Sequence, residues 1–343
     1  MTWWLTGLAV GTVGLAWFAR APAHPEARDG AVVGDAVVVY SPGYRVSLFG
    51  IERLHPFDIG KMDRIAAALV DEGLVPAGGF AVPEEVSEEL LGQVHDPDYI
   101  ASLQDARALG RALEVAVPPV IPSRALDKRV LAPFRRSVGG TVVAAEMALE
   151  HGVGINLGGG FHHARPDMGH GFCVYNDVAV AIHVLREQGF DGAVLIIDTD
   201  AHQGDGDHAF FADDDSVYSF SMHQADIFPE PKLDGDADLG LRAGTNDVDF
   251  NVALDEALRR LLDQEQPAIV FHVAGSDVLS DDPLASLAMT VDGLVERDLL
   301  VYEAVRQRDI PLVHVLAGGY GPSSAQAQSR SVAAMLRVGV QAD

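Results

Sequence analysis

The sequence predicts a single doubly wound α/β domain with a mostly parallel central sheet, and three observations carry that prediction. From residue 36 onward, short apolar runs alternate with longer stretches of helical period. Strands that are nearly all Val, Ile, Leu and Phe are shielded on both faces, as in a parallel sheet covered by helical crossovers. The chain also places its unusual polar residues just after these runs, where an open α/β sheet builds its site.

The elements follow in order. Residues 1–19 (MTWWLTGLAVGTVGLAWFA) hold no charged side chain, and Arg20 is the first. A stretch of roughly 20 apolar residues can just span a bilayer. A membrane anchor is therefore the leading expectation for 1–19, and membrane attachment is favoured over a cytoplasmic or exported protein. A secretory signal with Ala21-Pro22-Ala23 as its cleavage site and an extra N-terminal start are the alternatives. Residues 20–35 read as a Pro/Ala/Gly-rich linker and 36–343 as the domain.

Within the domain, 36–40 (AVVVY) is a strand, helices are expected at 61–72, 85–92 and 97–109, and Pro118, Pro119 and Pro122 break the chain. A longer helix covers 128–150. Strand 153–157, helix 177–187, and strands 192–198 (GAVLIID) and 217–222 follow. Residues 234–249 read as an acidic surface loop. Helix 252–263, strand 268–273 (AIVFHV), helix 293–307, strand 311–316 and helix 324–337 complete the series.

Composition narrows the function. The chain has 343 residues, 24 Lys+Arg against 50 Asp+Glu, and a net charge of −26. That balance argues against direct nucleic-acid binding, which calls for a basic stripe, and suits cationic partners. A single cysteine, Cys173, excludes an intrachain disulfide and a multi-thiolate zinc site.

Four strand ends carry the chemistry. Strand 153–157 runs into Gly158-Gly159-Gly160-Phe161-His162-His163, and strand 192–198 into Thr199-Asp200-Ala201-His202-Gln203-Gly204-Asp205. Strand 268–273 runs into Ala274-Gly275-Ser276-Asp277, and strand 311–316 into Ala317-Gly318-Gly319-Tyr320. Asp200 and His202 are two apart, so an extended segment points both the same way, and Asp277 adds a third ligand from a neighbouring strand end. Such an oxygen/nitrogen set with an open position suits catalytic Zn2+, and Fe2+ or Mn2+ are compatible with it. Asp198 and Asp205 remain to accept from the Nδ1 of a histidine, which fixes the tautomer and raises basicity. An imidazole so held can move a proton between water and a leaving group. The glycine pairs allow close backbone approach. No G-K-[ST] follows them, so they do not form a phosphate loop.

Together these motifs resemble the histone deacetylase family of the arginase/deacetylase superfamily. The matching stretches are GGGFHHARPDMGHGFCVYNDVAVAI (158–182), IDTDAHQGDGD (197–207), AGSDVLSDDPL (274–284) and GGY (318–320), with QVHDPDYIASL (93–103) upstream. SLFGIERLHPFD (47–58) and the DAHQGDG form are most similar to the class IV branch. The resemblance implies an arginase/deacetylase-like fold, with Asp200, His202 and Asp277 as zinc ligands. It implies His163 with Asp205 as general base and acid, His162 with Asp198 as its electrostatic companion, and Tyr320 as the carbonyl-polarising phenol. Gly171, Phe172 and Cys173 match the wall of an acyl-lysine tunnel. Ile227 or Phe228 is expected opposite Phe172, in a segment (221–229) shorter than its class I counterpart. Asp198 and Ser221 match a structural K+ or Na+ site.

The expected activity is zinc-dependent hydrolysis of N-acyl-lysine, as a peptide deacetylase or defatty-acylase. Hydrolysis of an acylated polyamine or another small amide is the alternative, and a non-catalytic protein-interaction module is the alternative of another class. An arginase-like centre fits poorly, since it needs bridging carboxylates where His162 and His163 stand.

Overall fold

The computed structural model describes residues 30–342, so the segment 1–19 and its expected anchor lie outside the described residues. Among the described residues, no helix is long and apolar enough to cross a membrane.

The chain opens on β1 (Val32–Val33) and β2 (Ala36–Val39). The helices α1 (Lys61–Asp71), α2 (Glu88–Val94), α3 (Pro97–Ser102), α4 (Ala106–Ala112), α5 (Ser123–Leu126) and α6 (Ala132–His151) follow. Then come β3 (Val153–Asn156), α7 (Asp177–Glu187), β4 (Val194–Asp198), α8 (Asp205–Phe211), β5 (Val217–Gln224) and β6 (Ala237–Leu241). The chain closes with α9 (Asp247–Glu265), β7 (Ile269–Val273), α10 (Val291–Arg306), β8 (Leu312–Val315) and α11 (Ser324–Ala342).

The eight strands form one sheet in the order β1-β2-β3-β8-β7-β4-β5-β6. Every neighbouring pair is parallel except β1–β2. Successive side chains of a strand face opposite sides, and the core divides accordingly. Val38, Ile155, Leu195, Ile197 and Val270 pack with α1, α9, α10 and α11. Val37, Val39, Val194, Ile196, Phe271 and Val313 pack with α6 and α7. A third cluster, with Leu91, Leu103, Leu109 and Leu126, ties α2–α5 to the outer side of α6 and α7.

Several boundaries differ from the sequence reading, each for a local reason. The sheet begins at Val32, inside the expected linker, because β1 pairs antiparallel with β2 (Val32 opposite Val37). The single helix expected over 97–109 is two, since the Asp105 carboxylate accepts from the Arg107 and Ala108 N–H groups and starts a new helix. The acidic loop expected over 234–249 contains β6, an edge strand with Asp238 and Gly240 on its outer side. It is followed by α9, which starts at 247 because the Asn246 side chain accepts from Val248 and Asp249 N–H. The short helix α8 was not expected.

Candidate active site

The strand order sets β3, β8, β7 and β4 side by side, so the four loops carrying the histidines, carboxylates and phenol leave one rim of the sheet. Their side chains converge. Asp200, His202 and Asp277 each place a ligand atom within 4.8 Å of the others, and all three are buried. His202 Nδ1 lies 2.9 Å from Asp277 Oδ2 and 3.2 Å from Asp200 Oδ1. Backbone donors aim the carboxylates: Ala201 N–H donates to Asp277 Oδ1 at 2.8 Å, and Gly318 N–H to Asp200 Oδ2 at 3.0 Å.

The donor chemistry fits a divalent ion. Two carboxylates buried this close need positive charge between them. Burial followed by the Asp200 charge pushes Asp277 up to about 7. Burial works against a charge on His202, yet the two carboxylates raise it to about 10. A metal binding to Asp200, His202 and Asp277 would replace that proton, since metal-ligating histidine is neutral.

His162 and His163 lie beside this cluster with ring centroids 4.1 Å apart. His162 Nδ1 is 2.6 Å from Asp198 Oδ2, and His163 Nδ1 is 2.7 Å from Asp205 Oδ1. Their surroundings push them apart. Burial opposes a charge on both. At His162 the Asp198 and Asp200 charges outweigh it and raise the pKa well above the usual range. At His163 burial and the neighbouring His162 bring the pKa down to about 3. Asp205 also receives Arg165, whose Nε donates at 2.8 Å, and has His170 Nε2 at 3.0 Å.

Tyr320 is held by its own backbone: its N–H donates to Asp282 Oδ2 at 2.7 Å. Burial, then Asp277 and Asp200, raise its phenol well above the usual value, so it stays protonated. Phe172 packs edge-on against His55 (4.3 Å) and Tyr320 (5.7 Å). Phe228 packs against His163 at 5.0 Å. Gly171, at φ 55°, leaves no room for a side chain, because a Cβ there would sit 2.4 Å from His163 Cδ2. Of the two residues expected opposite Phe172, it is Phe228 that reaches the site, while Ile227 packs against the main core. Cys173 is buried, with its thiol 3.4 Å from Gly171 O. Ser221 stands opposite Asp198 in the β4–β5 register, its hydroxyl accepting from Gly204 N–H and bonded to His223.

Behind these groups lies an apolar cavity of about 120 Å³. His162, His163, Cys173 and Tyr320 line one part of it, and Leu48, Ile51, Leu113, Val115, Val130 and Phe134 line the rest.

Two positioning residues escaped the sequence reading. Lys61, on the buried face of α1, donates to the carbonyls of Ala317 (3.3 Å) and Gly318 (3.1 Å), tying the Tyr320 loop to that helix. Arg297 of α10 donates to Thr199 O (3.1 Å) and Gly275 O (2.6 Å), joining the two loops that carry the carboxylates. The available signal was a cation amid the apolar face of a predicted helix.

This architecture and rim define the arginase/deacetylase class of α/β proteins. The chain matches the family described as Histone deacetylase domain over residues 55–336. It is 38% identical to histone deacetylase 2 of Arabidopsis thaliana over 88% of this chain and 79% of that one. It is 31% identical to the acetoin utilization protein AcuC of Bacillus subtilis over 83% of this chain and 75% of that one. The crystal structure of the HDA15 HD domain superposes with a TM-score of 0.72 at 22% identity, covering 90% of this chain and 89% of that one. The chain belongs to the histone deacetylase family.

Proposed function

We propose that this chain is a metal-dependent amidohydrolase that removes the acyl group from N-acyl-lysine. The observation that carries the reading is the juxtaposition of the Asp200/His202/Asp277 donor set with two His–Asp pairs and a protonated phenol at one end of an apolar cavity. Zn2+ is the ion the mixed donor set suits best, with Fe2+ or Mn2+ served by the same ligands. Bound there, the ion would supply Lewis-acid polarisation of the acyl carbonyl and a water acidic enough to react near neutral pH.

The remaining work falls to the side chains. His163 stays uncharged, and its Nδ1–H is donated to Asp205, which leaves Nε2 free to take a proton from water and later return it to the departing lysine amine. His162, paired through Nδ1 with Asp198 at 2.6 Å, would offset the negative charge that develops on the reacting centre. Two neighbouring groups with oppositely displaced pKa values are the usual mark of such a division. The Tyr320 hydroxyl donates to the oxygen that gains charge. Phe172 and Phe228 flank the approach with apolar edges suited to the methylenes of a lysine chain.

The cavity extends the reading to the acyl group. An apolar cavity of about 150 Å³ holds a benzene molecule, and the volume here is about 120 Å³. Chains longer than acetyl therefore fit. A K+ or Na+ beside Asp198 and Ser221, and membrane attachment through residues 1–19, complete the proposal. The facing register supports the first and the apolar sequence the second.

The test is a panel of acetyl-, hexanoyl- and myristoyl-lysine peptides alongside acetylputrescine, assayed with zinc-loaded enzyme. Hydrolysis of the lysine peptides, with hexanoyl at least as fast as acetyl, is expected. Turnover of acetylputrescine alone, or of no amide, would overturn the reading.

A further inference from the structure

Two surface segments packed against each other break the acidic character of the molecule. Ser47 N–H donates to Arg129 O at 3.1 Å, and the Arg129 guanidinium returns a contact to Ser47 O at 3.3 Å. The segments 45–53 and 124–129 carry Arg45, Arg53, Arg124, Lys128 and Arg129, all exposed, in a chain with a net charge of −26. They carry two carboxylates, one held within the patch and one paired outside it. Glu52 accepts from Leu48 N–H (2.7 Å) and Gly50 N–H (2.9 Å), and Asp127 accepts from Arg135 (2.7 Å). Arg45 faces Asp63 at 3.6 Å, while no ion pair forms at Arg53, Arg124, Lys128 or Arg129 among the described residues.

Beside Arg129 stands an aromatic ring that folding does not bury. Phe49 is 64% exposed. It sits at φ 55°, a left-handed conformation that a bulky side chain rarely adopts. The Arg129 guanidinium lies 4.4 Å from its centroid. Val120, 84% exposed, lies in the Pro-rich turn that leads into Arg124. Phe49 is no part of the core, and its ring is stacked by a cation at the surface.

We propose that this basic, aromatic patch docks the catalytic domain onto an anionic lipid bilayer. The match is one of charge and shape. Cations around a protruding apolar tip suit a negatively charged headgroup layer, where the ring enters the interface and the guanidinium and ammonium groups remain among the headgroups. The surface is separate from the metal-ligand set and rests on neither the proposed reaction nor residues 1–19.

The test is co-sedimentation of the full chain with phosphatidylcholine vesicles, with and without phosphatidylserine, read as the gain in binding that phosphatidylserine brings, because the uncharged residues 1–19 would contribute alike to both. Each basic residue near such a surface contributes about fivefold in affinity, so the variant R124Q/K128Q/R129Q should lose about 100-fold against phosphatidylserine vesicles. Phe49→Ser should also bind more weakly, and wild-type binding should fall with added salt. The thermal unfolding midpoint should be unchanged in both variants, which shows that they fold and keeps this test apart from that of the reaction. Equal binding to vesicles with and without phosphatidylserine, undiminished binding by the triple variant, or binding of duplex DNA in place of vesicles would overturn the proposal.

Discussion

In the proposed reaction Tyr320 donates only to charge that develops on the substrate oxygen, so Tyr320→Phe should lower kcat by about 10²–10³ and leave KM and metal content nearly unchanged. Steady-state kinetics alongside metal analysis checks this, and an unchanged kcat would remove the phenol from the mechanism. At this scale much was legible. Asp200 and His202 share a face by their spacing, and Asp277 follows an apolar run. Both His–Asp pairs formed as the resemblance implied, His162 with Asp198 and His163 with Asp205. The choice between Ile227 and Phe228 was not legible, because the two adjoin in the bend after β5, where no strand or helix period fixes which faces the core. Lys61 and Arg297 were hidden for another reason: they act on backbone carbonyls from remote helices, and such contacts leave no spacing in the sequence.

The elements hold the site through a few tight fits. His95, which closes α2, is 2% exposed. Its Nδ1 bonds Arg165 O at 3.0 Å, and its Nε2 accepts from Asn176 N–H at 3.1 Å. Only the neutral ring satisfies both, and burial brings its pKa from 6.5 to about 4. Between those values the unfolded chain binds a proton that the folded chain refuses. The stability present above pH 6.5 is therefore lost as pH falls to about 4, roughly 3 kcal/mol in all. His95→Gln should flatten the pH dependence of unfolding in that window, and identical slopes would refute the assignment. Gly154 marks another fit, where β3 lies against α6: a Cβ there would stand 1.8 Å from Ala144 O. Gly154→Ala should cost about 1–3 kcal/mol or more in denaturant unfolding; a cost near zero would mean that the helix shifts freely. Central strands were legible as mostly apolar runs, interrupted only by Gly154, Asn156, His272 and His314 in β3, β7 and β8, and α7 appeared at its expected limits. The edge strands β1 and β6 were missed because one is two residues long and the other alternates with Asp238 and Gly240.

For the whole molecule, family and fold agree with a sheet whose four adjacent strand ends supply one site. Net charge argues against nucleic acid as a partner but could not reveal the local basic patch, since charge distribution appears only once segments 45–53 and 124–129 meet. The apolar cavity was likewise invisible, being assembled from the segment after α4, from α6, from the 42–59 region and from the loops after β3 and β8. The central claim is that Asp200, His202 and Asp277 gather one divalent ion on which amide hydrolysis depends. Zinc titration of the metal-depleted chain, following hydrolysis of an acyl-lysine peptide, tests it most directly. Activity should rise from near zero and level off at one equivalent, and Asp277→Asn should neither retain zinc nor recover turnover. Full activity in the metal-depleted chain, or zinc binding and turnover in Asp277→Asn equal to wild type, would contradict the claim.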